Sequence, residues 1–133
     1  MYNISEPDIS KREMPAQPKT IEIQNLPREC HQALILAVLA GGPTQGFHGY
    51  RLALELEQKS GGAFRFNHGT LYPILHKLEQ DGQIAGDWLD EPGKRKRKRY
   101  SLTEAGRRRL AEQATAWLGF FDRFFAVIGE VGR

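Results

Sequence analysis

Glycines at positions 41–42, 61–62 and 82 close three successive helical patterns, and a Pro-Gly pair at 92–93 follows them. That punctuation rules out one long helix before residue 83 and asks for three short ones and then a turn. The first pattern, "RECHQALILAVLAGG", has an apolar second half, which predicts a helix buried on every side. Gly41 or Gly42 is expected to end it in the left-handed conformation, with Pro43 just beyond. Cys30 near its start reads as a small core residue rather than a redox sensor.

The second pattern runs from His48 to Lys59, with Leu52, Ala53 and Leu56 on one face, Leu54 off it, and "SGG" at its end. The third lies in "FRFNHGTLYPILHKLEQDG", where Leu71, Ile74, Leu75 and Leu78 recur at i, i+3, i+4 and i+7. With Thr70 as N-cap, Pro73 falls in the first turn, where no intrahelical donor is lost. A start at Asn67 would put Pro73 past that turn and bend the helix. The outward set is then Thr70, Tyr72, His76 and Lys77, and a hydroxyl and a phenol near a helix start suit phosphate oxygens.

From Gln83 the period changes from helical to alternating. In "QIAGDWLDEPGKRKRKRYSLT", Ile84 and Trp88 share one side of a strand, Tyr100 and Leu102 share one side of another, and Pro92-Gly93 turns the chain between them. The tip and return strand of this hairpin carry Lys94, Arg95, Lys96, Arg97, Lys98 and Arg99. The whole chain has a formal net charge of +3, so a run supplying +6 leaves −3 for everything else. Positive charge is therefore concentrated at one place, as a surface meeting a polyanion requires. Three short helices and a hairpin describe a winged helix-turn-helix, whose third helix enters a major groove while the wing reaches the neighbouring backbone or minor groove. The cations of the wing are assigned to phosphates, with capping or local pairing as the alternative for Lys98 and Arg99, nearer the body.

Thr103-Glu104 starts a last helix with a hydroxyl cap and a first-turn carboxylate. About 30 residues at 1.5 Å each give roughly 40 to 45 Å, longer than one small domain covers. Leu110, Ala114, Trp117, Phe121, Phe124, Phe125 and Ile128 form a seam that fits another helix, and a homodimer would match the two half-sites of a palindromic operator. Arg107 to Arg109, just inside this helix, read as a solvated face.

The chain of 133 residues therefore divides into a flexible N-terminal arm (1–27) broken by four prolines, a DNA-binding domain (28–103) and a dimerisation helix (104–133). "TIEI" in the arm is a candidate short strand. The fold class is mainly α with a small β part. One cysteine excludes an internal disulfide, the first residues lack the apolar core of a secretory signal, and Ala33 to Ala40 is too short to span a bilayer, so a cytoplasmic protein is expected. His31, His48, His68 and His76 are scattered, no glycine-rich phosphate loop follows a strand, and neither metal, cofactor nor enzyme chemistry is expected.

Three passages, "ILAVLAGGP…HGYRLALELEQKSGG", "GTLYPILHKLEQDGQI" and "RKRYSLTEAG", occur in an order and spacing through which Leu34 to Gly106 resembles the PadR family of bacterial transcription regulators. The resemblance implies a dimer of winged helix-turn-helix domains joined by C-terminal helices, here of the short single-helix branch. It implies DNA contacts for the positions of Thr70 and Tyr72, and repression as the usual mode of regulation. It also implies, for Trp117, a place in a pocket between subunits where flat aromatic effectors stack in multidrug-sensing relatives, with core packing as the alternative. Two features depart from the family: Thr44-Gln45-Gly46-Phe47 lengthens the connection between the first two helices, and an arm of 27 residues precedes the first. A winged module for protein or RNA contact is the competing function. A membrane-surface helix is disfavoured by Asp122 and Glu130 in the aromatic stretch.

Overall fold

The computed structural model describes residues 21–22 and 26–131. Its elements in chain order are β1 (Ile21–Glu22), α1 (Arg28–Ala40), β2 (Phe47–His48), α2 (Gly49–Lys59), β3 (Phe64–Arg65), α3 (His68–Gln80), β4 (Ile84–Leu89), β5 (Arg97–Leu102) and α4 (Glu104–Val131). The three short helices, the hairpin and the long helix stand where the glycine punctuation and the change of period place them. Apart from β1 and Leu26–Pro27, the arm lies outside the described residues.

The core gathers the expected apolar faces: Ile35, Leu36, Val38 and Leu39 of α1, Leu52 and Leu56 of α2, Leu71, Leu75 and Leu78 of α3, and Ile84 and Tyr100 of the hairpin. Each large side chain so buried is worth about 1.5–3 kcal/mol relative to exposure. Helix α1 is the centre, touching α2, α3, α4 and β5. It is not buried all round, however, because Ala37 and Ala40 face solvent. Alanine lengthens an apolar run without adding much area to hide, so the run overstates the buried face.

Helix closure also departs from expectation at one end. Gly41 has φ −87° and Gly42 is not left-handed; the left-handed closures are at Gly61 (φ +65°) and Gly82 (φ +75°). Gly42 is a glycine for space, since a Cβ there would strike the Phe47 ring. The next turn carries Gly46 at φ +88°, its Cα against the Tyr100 carbonyl, where any side chain would collide with backbone. That close approach lets β2 lie on β5.

Strand β2 is an element that sequence periodicity does not reveal. It pairs antiparallel with β5 (Phe47↔Tyr100, His48↔Arg99), giving a three-stranded sheet in the order β2-β5-β4. The longer connection before α2 thus becomes part of the wing's base. A second small sheet pairs β1 parallel with β3, Ile21 opposite Phe64 and Glu22 opposite Arg65, which is the short strand expected within "TIEI".

The third helix begins earlier than Thr70. Asn67 is the N-cap, its Oδ1 accepting from the Thr70 N–H at 2.8 Å and from the Thr70 hydroxyl at 2.7 Å. Both residue types cap helices; the carboxamide three residues upstream satisfies the free donor and the hydroxyl together. Pro73 consequently lies inside α3, where it has no N–H to give the Gly69 carbonyl. At the start of α4, Thr103 is the cap foreseen: its hydroxyl accepts from the Gly106 N–H at 3.0 Å and donates to the Gly82 carbonyl at 2.6 Å, joining the exit of α3 to the entry of α4.

Candidate nucleic-acid interface

Helix α3 turns Leu71, Leu75 and Leu78 into the core and leaves Tyr72, Pro73, His76 and Lys77 on its exposed side. The exposed side has two flanks. On one, Tyr72 and His76 line a cleft of about 450 Å³ with Glu79, with His48, Gly49 and Tyr50 at the start of α2, and with Trp88, Arg95, Lys96, Arg97, Lys98 and Tyr100 of the wing. On the other, Thr70 and Lys77 share a shallow groove with Arg28, His31 and Gln32 of α1. The sequence-derived outward set is thus split, half of it toward the wing and half toward α1.

Tyr72 is 48% exposed. Its ring lies over Gly49, where a Cβ would stand 3.0 Å from Cε1, so the phenol is carried at the mouth of the cleft by the first turn of α2. Thr70 spends its hydroxyl on the Asn67 cap, and Lys77 pairs with Asp81 at 3.2 Å, an exposed pair of the strength that water and salt readily exchange.

The wing is built by β4 and β5 in the register Ile84↔Leu102, Gly86↔Tyr100, Trp88↔Lys98. Pro92-Gly93 makes the turn, closed by the Lys94 N–H donating to the Glu91 carbonyl at 3.0 Å. Along the cationic run the environment changes. Lys94 meets only the exposed Glu91, at 3.3 Å, and Arg95, Lys96 and Arg97 are exposed and make no ion pair among the described residues. Lys98 turns inward: its Nζ is 2.7 Å from Glu79 Oε1 and 5.5 Å from the ring centroids of both Trp88 and Tyr100. The hydrogen bond to Glu79 holds the ammonium above the usual lysine pKa range, and burial raises the phenol of Tyr100. Arg99, half-buried on the opposite face, stands between His48 of β2 and Asp87 of β4.

Sequence reasoning misses Glu79 and Trp88 as members of this cleft. Glu79 lies seven residues after Tyr72 and three after His76, so the helical period that singles out those two also points to it. Trp88 shares a strand side with Ile84, as its spacing predicts, but Ile84 is buried and Trp88 is 63% exposed near the wing tip.

The seam residues of α4 fall into two groups. Leu110 packs against the domain's own core, and Trp117 is half-buried, lining a recess with Glu29, Arg109, Glu112, Gln113, Ala116 and Phe120. The others, Ala114, Phe121, Phe124, Phe125 and Ile128, are exposed, as are Leu118, Phe120 and Val127. The rings touch each other along the helix, Phe120 stacked on Phe124 and Phe121 on Phe125. Cys30 is half-buried, and burial together with Glu29 raises its thiol pKa, which keeps it protonated and poorly nucleophilic. Among the described residues no three His, Cys, Asp or Glu side chains gather to hold a metal, and no helix is long and apolar enough to cross a membrane.

A reading helix beside a basic wing is the architecture of a DNA-binding domain, and comparison with known proteins gives it a family. The model of the PadR-like family of transcriptional regulators matches residues 35–112. This chain belongs to that family. The PadR-like chain is 37% identical over 90 residues to transcriptional regulator Rv3488 of Mycobacterium tuberculosis, a match covering 67% of this chain and 80% of that one. Among solved structures, a PadR family transcriptional regulator from Eggerthella lenta is 26% identical with a TM-score of 0.62, over 80% of this chain and 84% of its own. The circadian clock associated protein Pex from Anabaena is 24% identical with a TM-score of 0.57 over 90% of each chain, a likeness of fold alone. As a PadR-like protein the chain is a DNA-binding transcription regulator of winged-helix fold, in a family of regulators rather than enzymes.

Proposed function

We propose that this PadR-like regulator binds a palindromic operator as a homodimer and represses transcription from it. Tyr72 and His76 enter the major groove on α3, while Lys94, Arg95, Lys96 and Arg97 neutralise phosphates from the wing. Thr70 and Lys77, on the flank toward α1, face the opposite backbone. The observation that carries this reading is the cleft in which Tyr72 and His76 of α3 share one surface with Arg95, Lys96 and Arg97 of the wing. Helix and cations on a single face match a groove bordered by phosphates. The exposed aromatic half of α4 supports assembly through that helix, since an apolar stripe of this kind is costly to leave in water. Repression is read from the family.

The test is selection of bound fragments from genomic DNA followed by a mobility shift on the enriched sequence. A palindromic site bound by a dimer, and weakened by Tyr72→Ala with the fold intact, is the expected result. Random duplex DNA competing as well as the selected site would instead favour a module without operator specificity. Trp117 and Phe120 at the recess beside buried Gln113, whose Nε2 has no hydrogen-bond partner, favour an effector site there. Planar cationic dyes that leave tryptophan fluorescence unchanged would count against it.

A further inference from the structure

The six cations of the run are not equivalent, and Lys98 is the exception. We propose that Lys98 is not a phosphate ligand but a positioning residue: with Glu79, Trp88, Tyr100 and Gly86 it forms a latch that fixes the angle of the wing against α3. This rests on the DNA-binding reading above and adds to it what sets the geometry of the two DNA-facing parts.

The geometry is specific. Lys98 Nζ donates to Glu79 Oε1 at 2.7 Å, bridging β5 to the last turn of α3 across 19 residues of sequence. The ammonium also stands 5.5 Å from the ring centroids of Trp88, its cross-strand partner, and of Tyr100, two residues along the same strand face. A cation between two rings and a carboxylate has its positive charge already satisfied and only 23% of its side chain exposed. Gly86 leaves the room: a Cβ there would collide with Lys98 Cε and come within 2.9 Å of Glu79 Oε2. Arg97, one position earlier, is exposed and without an ion pair among the described residues, so the run changes role between 97 and 98. Glu79 is otherwise a poor residue to place in a cleft meant for DNA, because an unpaired carboxylate there would repel phosphate. Paired with Lys98, it is neutralised and useful.

The latch and the phosphate-ligand roles predict opposite signs. If Lys98 bound phosphate, Glu79→Gln would free it and remove a repelling charge, and affinity for duplex DNA would rise. For a latch, Glu79→Gln releases the wing, and affinity falls by about tenfold if about one molecule in ten then holds the binding angle. Removing the neutral pair together, Lys98→Met with Glu79→Gln, should lower affinity similarly at every salt concentration, leaving the slope of log K against log salt unchanged. Arg97→Met should reduce that slope by about one. Gly86→Ala offers a route that alters no charge: the atom it displaces is the flexible end of Lys98, so the fold survives while the bridge is pushed apart, with the same loss expected. Lys98→Arg, still a cation able to donate to Glu79 and stack on Trp88, should retain most of the affinity. A rise in affinity for Glu79→Gln, or a slope lower by about one for Lys98→Met combined with Glu79→Gln, would overturn the proposal. A readout free of DNA separates the latch from the function: backbone ¹⁵N relaxation of the amides between Trp88 and Arg97 should report greater mobility in Glu79→Gln than in the parent protein. Equal mobility would refute the latch even if operator binding stands, and a parent protein that binds no duplex would sink the function while leaving the latch to be judged by relaxation alone.

Discussion

The cleft between α3 and the wing and the distal half of α4 both put aromatic rings in water, yet the company those rings keep differs. Trp88 and Tyr72, 63% and 48% exposed, stand among Arg95, Lys96, Arg97 and the Lys98–Glu79 pair. Phe121, Phe124 and Ile128, between 42% and 44% exposed, stand among other rings and aliphatic side chains on one helix. Rings beside cations suit a partner with flat faces and negative charge; rings beside rings suit another apolar helix. The first surface is built within one chain, whereas the second is the one through which assembly is proposed.

The largest effect should come from spoiling the second surface. Phe121→Asp together with Phe124→Asp places charge in the seam and should convert a dimer to a monomer in sedimentation. Operator affinity should fall at least about a hundredfold, because the second half-site then loses its effective concentration. A variant that stays dimeric would move the interface elsewhere. Next is the first surface: changing Lys94, Arg95, Lys96 and Arg97 to Gln should lower the salt slope by about three to four units, about 0.9 for each phosphate no longer neutralised, with assembly unaffected. A smaller change tests the scaffold beneath the cleft. Asn67→Ala removes the cap of α3 and should cost about 1 kcal/mol in denaturant unfolding, whereas loss of the Thr70 hydroxyl alone should cost less.

Smallest of all is a pH effect on the latch. Because the folded state raises the Lys98 pKa above its ordinary 10.5, the stabilisation is complete below the unfolded value and is lost as pH rises through the folded one. The stability difference between the parent protein and Lys98→Met should therefore persist at about pH 8 and shrink in strongly alkaline solution. A difference that does not shrink in strongly alkaline solution would mean that the ammonium is not what Glu79 holds.

What could be seen in the sequence follows the range of the interactions. The three short helices, the hairpin and the Thr103 cap are specified by neighbours within a few residues, and glycine, proline and period suffice to find them. Strand β2 has two residues whose partners, Tyr100 and Arg99, lie about fifty positions downstream, so no local pattern announces it. Asn67 and Thr70 are both capping residues, and only their mutual hydrogen bond decides between them. The run Lys94 to Arg99 reads as one feature because charge is all the sequence displays; Glu79, met only in three dimensions, divides it. Leu110 fits the spacing of the α4 seam, yet the helix is still over its own domain at that point and the side chain goes to the core.

The most direct measurement is the affinity of the parent protein and the Lys94–Arg97 quadruple variant for duplex DNA over a series of salt concentrations. A steep fall with salt in the parent, and a slope shallower by about three to four units in the variant, is the result expected of a wing that neutralises phosphates. Two parallel lines, or no binding of the parent at the lowest salt, would contradict it.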